Sequence, residues 1–410
     1  MKNTKISKEM ILFFILIAAV AFGNGLSDSV YSNYFKEVYN VTARQRAFIE
    51  FPRELPGLLC ALVIASLSFL GDLRLSLLAQ ILACVGLIAL GLFTPPFGVM
   101  LIFLFINSLG MHLFLPLQDS IGMSLAEPDK IGQRVGQYAS IKISVGFLVG
   151  ILVFIGFRTG IFTFKSDVKL IFLIGAFAFF IASIVAIILI KSVKSESSVT
   201  KNRVRLIFRK EYKYYYLLTT LHGVQKQIAY VFGSWVIVDL LLKGADIMSL
   251  LTITSSFIGI FFMRMLGKWI DKFGIKKIMY LDALSFILVY IIYGFVVWGV
   301  TSNTLPQGSW SVMIIYALFV LDRLSMQMGI VKSVYLRGIA VNPDEVTATL
   351  STGTSLDHIV SILAAQVSGI IWVSFGPQWV FFMAAFFSLG NLFVAWRIEP
   401  TKSKKVSIDN

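Results

Sequence analysis

The residues of this sequence best suited to chemistry are charged side chains set in apolar surroundings. Arg53, Lys142, Lys226, Arg264, Arg323 and Lys332 interrupt apolar runs, as do Asp28, Glu50, Glu54, Asp119, Asp282, Asp322 and Asp357. The three histidines, His112, His222 and His358, lie in such runs too. A charge at the centre of a bilayer costs on the order of a few kcal/mol or more, so it is kept for packing, for binding or for moving ions. Glu50, Arg53 and Glu54 share one helical face, a pattern that suits an outer gate or an interfacial cluster with Arg46. Asp322 and Arg323 are adjacent and so point about 100° apart. Imidazole titrates near neutrality, which makes His358, beside Asp357, the best-placed histidine for proton coupling. Nucleophile elbows, paired carboxylates flanking a histidine and His/Cys clusters at metal spacing are all missing. A nucleotide-binding loop is missing as well, which excludes an ATP-driven pump. No enzymatic activity, cofactor or metal is expected.

The elements that hold these residues must suit lipid. Of 410 residues, 57% are hydrophobic and 14% charged, and the mean hydropathy is +0.82. A water-facing surface cannot be assembled from that composition, and runs of about 20 apolar residues, enough to span a bilayer as a helix, recur along the chain. The expectation is an all-α membrane protein with twelve transmembrane helices. They fall near 9–35, 46–70, 75–95, 97–124, 131–157, 169–191, 212–242, 246–266, 276–298, 310–336, 345–374 and 377–397. Lys2, Lys5 and Lys8 ahead of the first run resemble a signal peptide, but the run continues too far and reads as helix 1. Cys60 and Cys84 fall in apolar spans and indicate neither a disulfide framework nor a metal site. The net charge of +14 suggests nucleic acid only until the bases are placed. They gather in alternate connections, including Lys191–Lys213, Lys268–Lys277 and the C-terminal tail, as cytoplasmic segments do. Both termini are therefore expected inside, in the cell membrane, with no nucleic-acid partner.

The halves resemble each other weakly. AEPDKIGQRVGQYASIKI from Ala126 lies over VNPDEVTATLSTGTSLDH from Val341, which sets Pro128 on Pro343, Lys142 on Asp357 and Asn107 on Asp322. An earlier register sets Asp28 on Lys226. The sharpest motif is GKWIDKFGIKK, with Gly267, Asp271, Lys272, Gly274, Lys276 and Lys277. It resembles the loop signature of the major facilitator superfamily, G-x-x-x-D-[RK]-x-G-x-[RK]-[RK], and lies between helices 8 and 9, where that family carries it. The loop around Gly71, Asp72 and Arg74 is an eroded counterpart.

That resemblance implies two pseudo-symmetric six-helix bundles: residues 1–190 and 212–400, joined by a basic linker at 191–211, with a tail at 401–410. Gly267 and Gly274 would permit a tight turn, and Asp271 would meet the positive end of helix 5. Family members build their cavity chiefly from helices 1, 4, 7 and 10. This nominates Asn24, Asp28, Tyr31, His112, His222, Gln225, Lys226, Tyr230, Asp322, Arg323 and Gln327 for substrate binding. Helix 1 lies near helix 5 and helix 7 near helix 11 in that fold, so Asp28 is expected to pair with Lys142 and Lys226 with Asp357. Glu50, Arg53, Glu54, Lys142, Asp357 and His358 are the candidates for gating or proton coupling. The implied function is secondary transport of a small polar or charged organic solute by alternating access, as a monomeric proton symporter. A proton-driven drug exporter is the alternative, but helix 5 keeps only Gly146 and Gly150 of the exporter stretch. A non-transporting sensor has no appended soluble domain to support it.

Overall fold

The computed structural model describes residues 6–127, 131–193, 207–306, 310–342 and 345–398, which form helices and no strand. Pro128, Pro343 and most of the basic linker lie outside the described residues, as does the tail at 401–410.

The first six helices follow the expected spans: α1 (Lys8–Tyr39), α2 (Ala43–Ser66), α3 (Asp72–Leu92), α4 (Phe97–Leu125), α5 (Ile131–Arg158) and α6 (Leu170–Ser192). Local chemistry fixes their ends. Ser7 caps α1 by accepting from the Met10 N–H, and Thr42 with Gln45 forms a capping box at α2. Asn40 ends α1 in the left-handed conformation that Asn tolerates. Gly71 and Gly274 open α3 and α9 with φ of 75° and 81°, a region that favours glycine. The eroded first-half loop therefore keeps the backbone turn of the intact one.

The remaining helices are α7 (Lys213–Gln227), α8 (Ala245–Phe273), α9 (Ile275–Thr301), α10 (Trp310–Gln327), α11 (Ile330–Ile339), α12 (Glu345–Phe375) and α13 (Gln378–Arg397). Two expected helices come out differently. The seventh is α-helical only to Gln227 and continues through π-helical turns at Ile228–Gly233 and Val236–Leu240. The tenth breaks at Met328 and Gly329, so that 13 α segments stand among the described residues where twelve were expected. Among the described residues, 10 helices are long and apolar enough to cross a membrane, with Trp310–Ile339 taken as one. α2 falls short because Arg44, Arg46, Glu50, Arg53 and Glu54 crowd its first half. The seventh falls short because its α portion has only 15 residues.

The chain divides into two units. The first contains residues 1–204 and 234–254. Within it, α3 and α4 meet backbone to backbone: a Cβ on Gly86 would lie 2.7 Å from both the Asn107 nitrogen and the Phe103 oxygen. Tyr34 and Phe172 meet edge to face at 4.8 Å between ring centroids, a favoured aromatic geometry. Residues 234–254 are tied in by polar contacts. Lys36 Nζ lies 2.5 Å from Asp239 Oδ1, Asn33 Nδ2 donates to Lys243 O at 3.0 Å, and Arg158 lies 3.7 Å from Asp246. The second unit contains residues 205–233 and 255–410. Tyr293 stacks on Phe381 at 4.2 Å, and Arg209, Tyr212 and Asn342 converge on Glu345 in the first turn of α12.

The loop motif departs from its expected mechanics. Gly267 sits inside α8, and a Cβ there would meet nothing within 4 Å, so only Gly274 needs to be glycine for the turn. Lys276 donates to the carbonyls of Ile398 at 2.8 Å and Trp396 at 3.2 Å, neutralising the negative end of α13. Lys272 lies over the Phe273 ring. The Asp271 side chain lies outside the described part of the structure.

Candidate functional site

The first unit carries an open cavity of about 440 Å³, within the range of small-molecule sites. Helical faces line it. α1 supplies Ala21, Asn24, Asp28 and Tyr31, and α4 supplies Leu104, Asn107, Ser108, Met111, His112 and Leu115. Both sets step by three or four residues, or by whole multiples of a turn, and so lie along one side of each helix. α2 adds Arg53 and Glu54, and α5 adds Lys142. The candidates Asn24, Asp28, Tyr31, Arg53, Glu54, His112 and Lys142 thus come together in one lining.

Arg53 organises it. Its guanidinium bonds Glu50 Oε1 at 2.8 Å, approaches Asp28 Oδ1 at 3.5 Å and lies 5.3 Å from the Tyr31 ring centroid. Its carbonyl accepts from Ser108 Oγ at 2.5 Å, on a helix whose own ladder is interrupted by Pro52 and Pro56. Tyr31 donates to Asn107 Oδ1 at 2.9 Å, and Asn107 Nδ2 donates to Ala83 O at 3.0 Å. His112 Nδ1 lies 2.9 Å from Ser108 O and 3.1 Å from its hydroxyl.

Two expectations are corrected here. Asp28 pairs with Arg53 and not with Lys142, which donates instead to Gln118 Oε1 at 3.3 Å. The cluster on α2 is not interfacial either. Arg46 is 1% exposed and bonds the buried Glu50 at 2.5 Å, so Glu50 is held between bases one turn before and one turn after it. It lies behind the cavity lining rather than in it.

The second unit gathers a different cluster. Lys226 Nζ lies 2.9 Å from Asp357 Oδ2, and His222 Nδ1 lies 3.3 Å from Asp357 Oδ1. The histidine on this carboxylate is His222, across the helix interface, and not the sequence neighbour His358. α7 and α12 approach closely enough for this because Gly223 faces the Asp357 carbonyl: a Cβ there would lie 3.0 Å from it. Gln225 donates to Ser388 at 2.9 Å and accepts from Asn391 at 3.4 Å. His222, Gln225, Asp282, Lys332 and Asn391 line a small cavity whose 20 Å³ of space for water centres admits a water molecule or so. The larger, more polar cavity of the first unit is therefore the better candidate for a solute.

The remaining candidates line neither cavity. Asp322 is fully buried beside the π turn, with Oδ2 3.5 Å from where a Gly233 Cβ would be. Tyr230 lies under the Arg323 guanidinium at 3.9 Å. Gln327 packs against Gly259. The sequence reading gave no site role to Arg46, Ser108 or Gln118. The three- and four-residue spacing of Leu104, Asn107, Ser108, Met111 and His112 was the signal that marks Ser108.

A family model described as "Major Facilitator Superfamily" matches residues 13–337. No curated protein matches the chain by sequence. Among solved structures, a mutant of the nucleoside transporter NupG is similar at TM-score 0.76 and 14% identity, over 95% of this chain and 99% of that one. An auto-inhibited POT family peptide transporter is similar at TM-score 0.75 and 12% identity, over 97% and 99%. A D-xylose-proton symporter is similar at TM-score 0.68 and 16% identity, over 96% and 98%. At these identities the likeness concerns the fold.

Proposed function

The chain belongs to the major facilitator superfamily, and we propose from that premise that it carries a small polar or charged organic solute by alternating access, coupled to protons. The family and its structural neighbours point to a transporter embedded in a membrane and acting on a small molecule, not to an enzyme. One observation carries the reading further: a cavity of about 440 Å³ lined by both signs of charge, built from faces of membrane-length helices. Charges in such a position are expensive unless they are paired or a solute or an ion uses them, and among the described residues Asp28 has only the 3.5 Å approach to Arg53 and Lys142 no ion pair. The cavity residues Asn24, Asp28, Tyr31, His112 and Lys142 are the proposed binding group. Lys226, Asp357 and His222 are the proposed coupling or gating group. The polar lining favours this reading over drug export, which suits an apolar pocket.

The twelve-span, two-bundle arrangement, a monomeric state, the cell membrane and cytoplasmic termini belong to the same proposal. Uptake of labelled solutes into proteoliposomes, with and without an imposed proton gradient, tests it. Accumulation of a polar solute that collapses with a protonophore is expected. Accumulation indifferent to the gradient would remove the coupling, and no uptake of any polar solute would remove the transport reading.

A further inference from the structure

Asp28 and Lys142 line the same cavity and do not pair with each other. Each has a partner that leaves it underused. The Asp28 carboxylate meets Arg53 at 3.5 Å, beyond ordinary hydrogen-bond length, and its side chain is 46% exposed. The Lys142 ammonium has three donors, and its one hydrogen bond among the described residues goes to the neutral Gln118 amide at 3.3 Å. No ion pair joins it to a carboxylate among the described residues.

We propose that the cavity binds a small zwitterion, with its carboxylate on Lys142 and its ammonium on Asp28. The assignment rests on the transporter reading and narrows its substrate class. The reasoning is one of charge balance across the lining. A purely anionic solute meets Lys142 but brings a second negative charge toward Asp28 and Glu54. A purely cationic one meets Asp28 but leaves Lys142 with only an amide. An apolar solute desolvates both charged groups and satisfies neither. A zwitterion supplies a counter-charge at each end and leaves the cavity's net charge unchanged, which is how complementary charges favour one ligand over its analogues.

The full-length protein in detergent, with ligand binding read from the shift of its unfolding temperature, tests this. The probes are the standard α-amino acids, γ-aminobutyrate and ε-aminohexanoate, each beside its des-amino acid and its des-carboxy amine. At least one zwitterion is expected to bind about tenfold to a hundredfold more tightly than either singly charged analogue, the size of a charge-assisted hydrogen bond. Lys142→Gln should reduce that zwitterion to the affinity of its amine, Asp28→Asn should reduce it to that of its acid, and Lys142→Arg should keep the preference. If a singly charged or uncharged analogue binds as well as its zwitterion, or no zwitterion in the series binds, the proposal is overturned. Flux into proteoliposomes separates this from the broader reading. Zwitterion binding without flux would sink the transporter reading alone, and flux of a solute that is not a zwitterion would sink this inference alone.

Discussion

Lys226 Nζ stands 2.9 Å from Asp357 Oδ2, joining α7 to α12 where a π-helical turn begins two residues after the lysine. Both side chains are mostly buried, at 21% and 13% exposed. Removing either partner takes this counter-charge from the other in a poor solvent for it.

The pair should therefore behave non-additively. Lys226→Ala or Asp357→Ala is expected to destabilise by about 3 kcal/mol, while the double variant costs less than the sum of the two. Chemical unfolding of the purified variants in detergent measures the cycle. Additive losses would show that the two charges are not energetically coupled.

The two acids next to Arg53 should separate stability from transport. Glu50→Gln strips the buried Arg46 of its carboxylate, so a loss of about 3–5 kcal/mol is expected in unfolding assays. Asp28→Asn breaks a long, half-exposed contact, so its stability loss should stay under about 1 kcal/mol while solute uptake falls. Equal stability losses from the two substitutions would contradict the burial argument.

Packing should reach the site through Gly86. A methyl there would press on the backbone of α4 at Asn107, 2.7 Å away, with no flexible side chain to yield. Gly86→Ala should cost about 1–3 kcal/mol and shift Asn107 away from the Tyr31 hydroxyl it accepts from. Tyr31→Phe in the Gly86→Ala background should then add little further loss of uptake, in contrast to its effect in the natural chain.

Acid should release Glu345, which lies ahead of the span that starts at Thr352. The Arg209 guanidinium first, with Asn342 and Tyr212 assisting, holds its carboxyl at about 2 against an ordinary value of 4.5. A folded-state value below the unfolded one adds stability that is complete above the ordinary value and disappears as pH falls through the depressed one. The stability gap between the natural protein and Glu345→Gln should be constant above pH 4.5 and shrink toward pH 2. A gap that is flat across that window would show that Arg209 does not favour the carboxylate.

The sequence alone determined the class of this protein and the inventory of its unusual residues. Helix placement was legible because a bilayer demands about 20 apolar residues per crossing, a signal strong enough to survive Pro52, Pro56 and Pro116. The faces of α1 and α4 were legible too, since spacings of three and four residues put Asn24, Asp28 and Tyr31, or Ser108 and His112, on one side of a helix. Partnership was decided only by the tertiary structure. Asp357 and His358 are neighbours in sequence, but adjacent helical side chains diverge by about 100°, and the carboxylate that faces α7 meets His222 instead. Asp28 was expected on Lys142, but in the folded chain it meets Arg53 on α2, and Lys142 lines the same cavity without pairing to it. Periodicity fixes which side of its own helix a residue occupies; which residue stands opposite depends on how two helices rotate and slide against each other, and that is set by close contacts such as Gly223 on the Asp357 carbonyl.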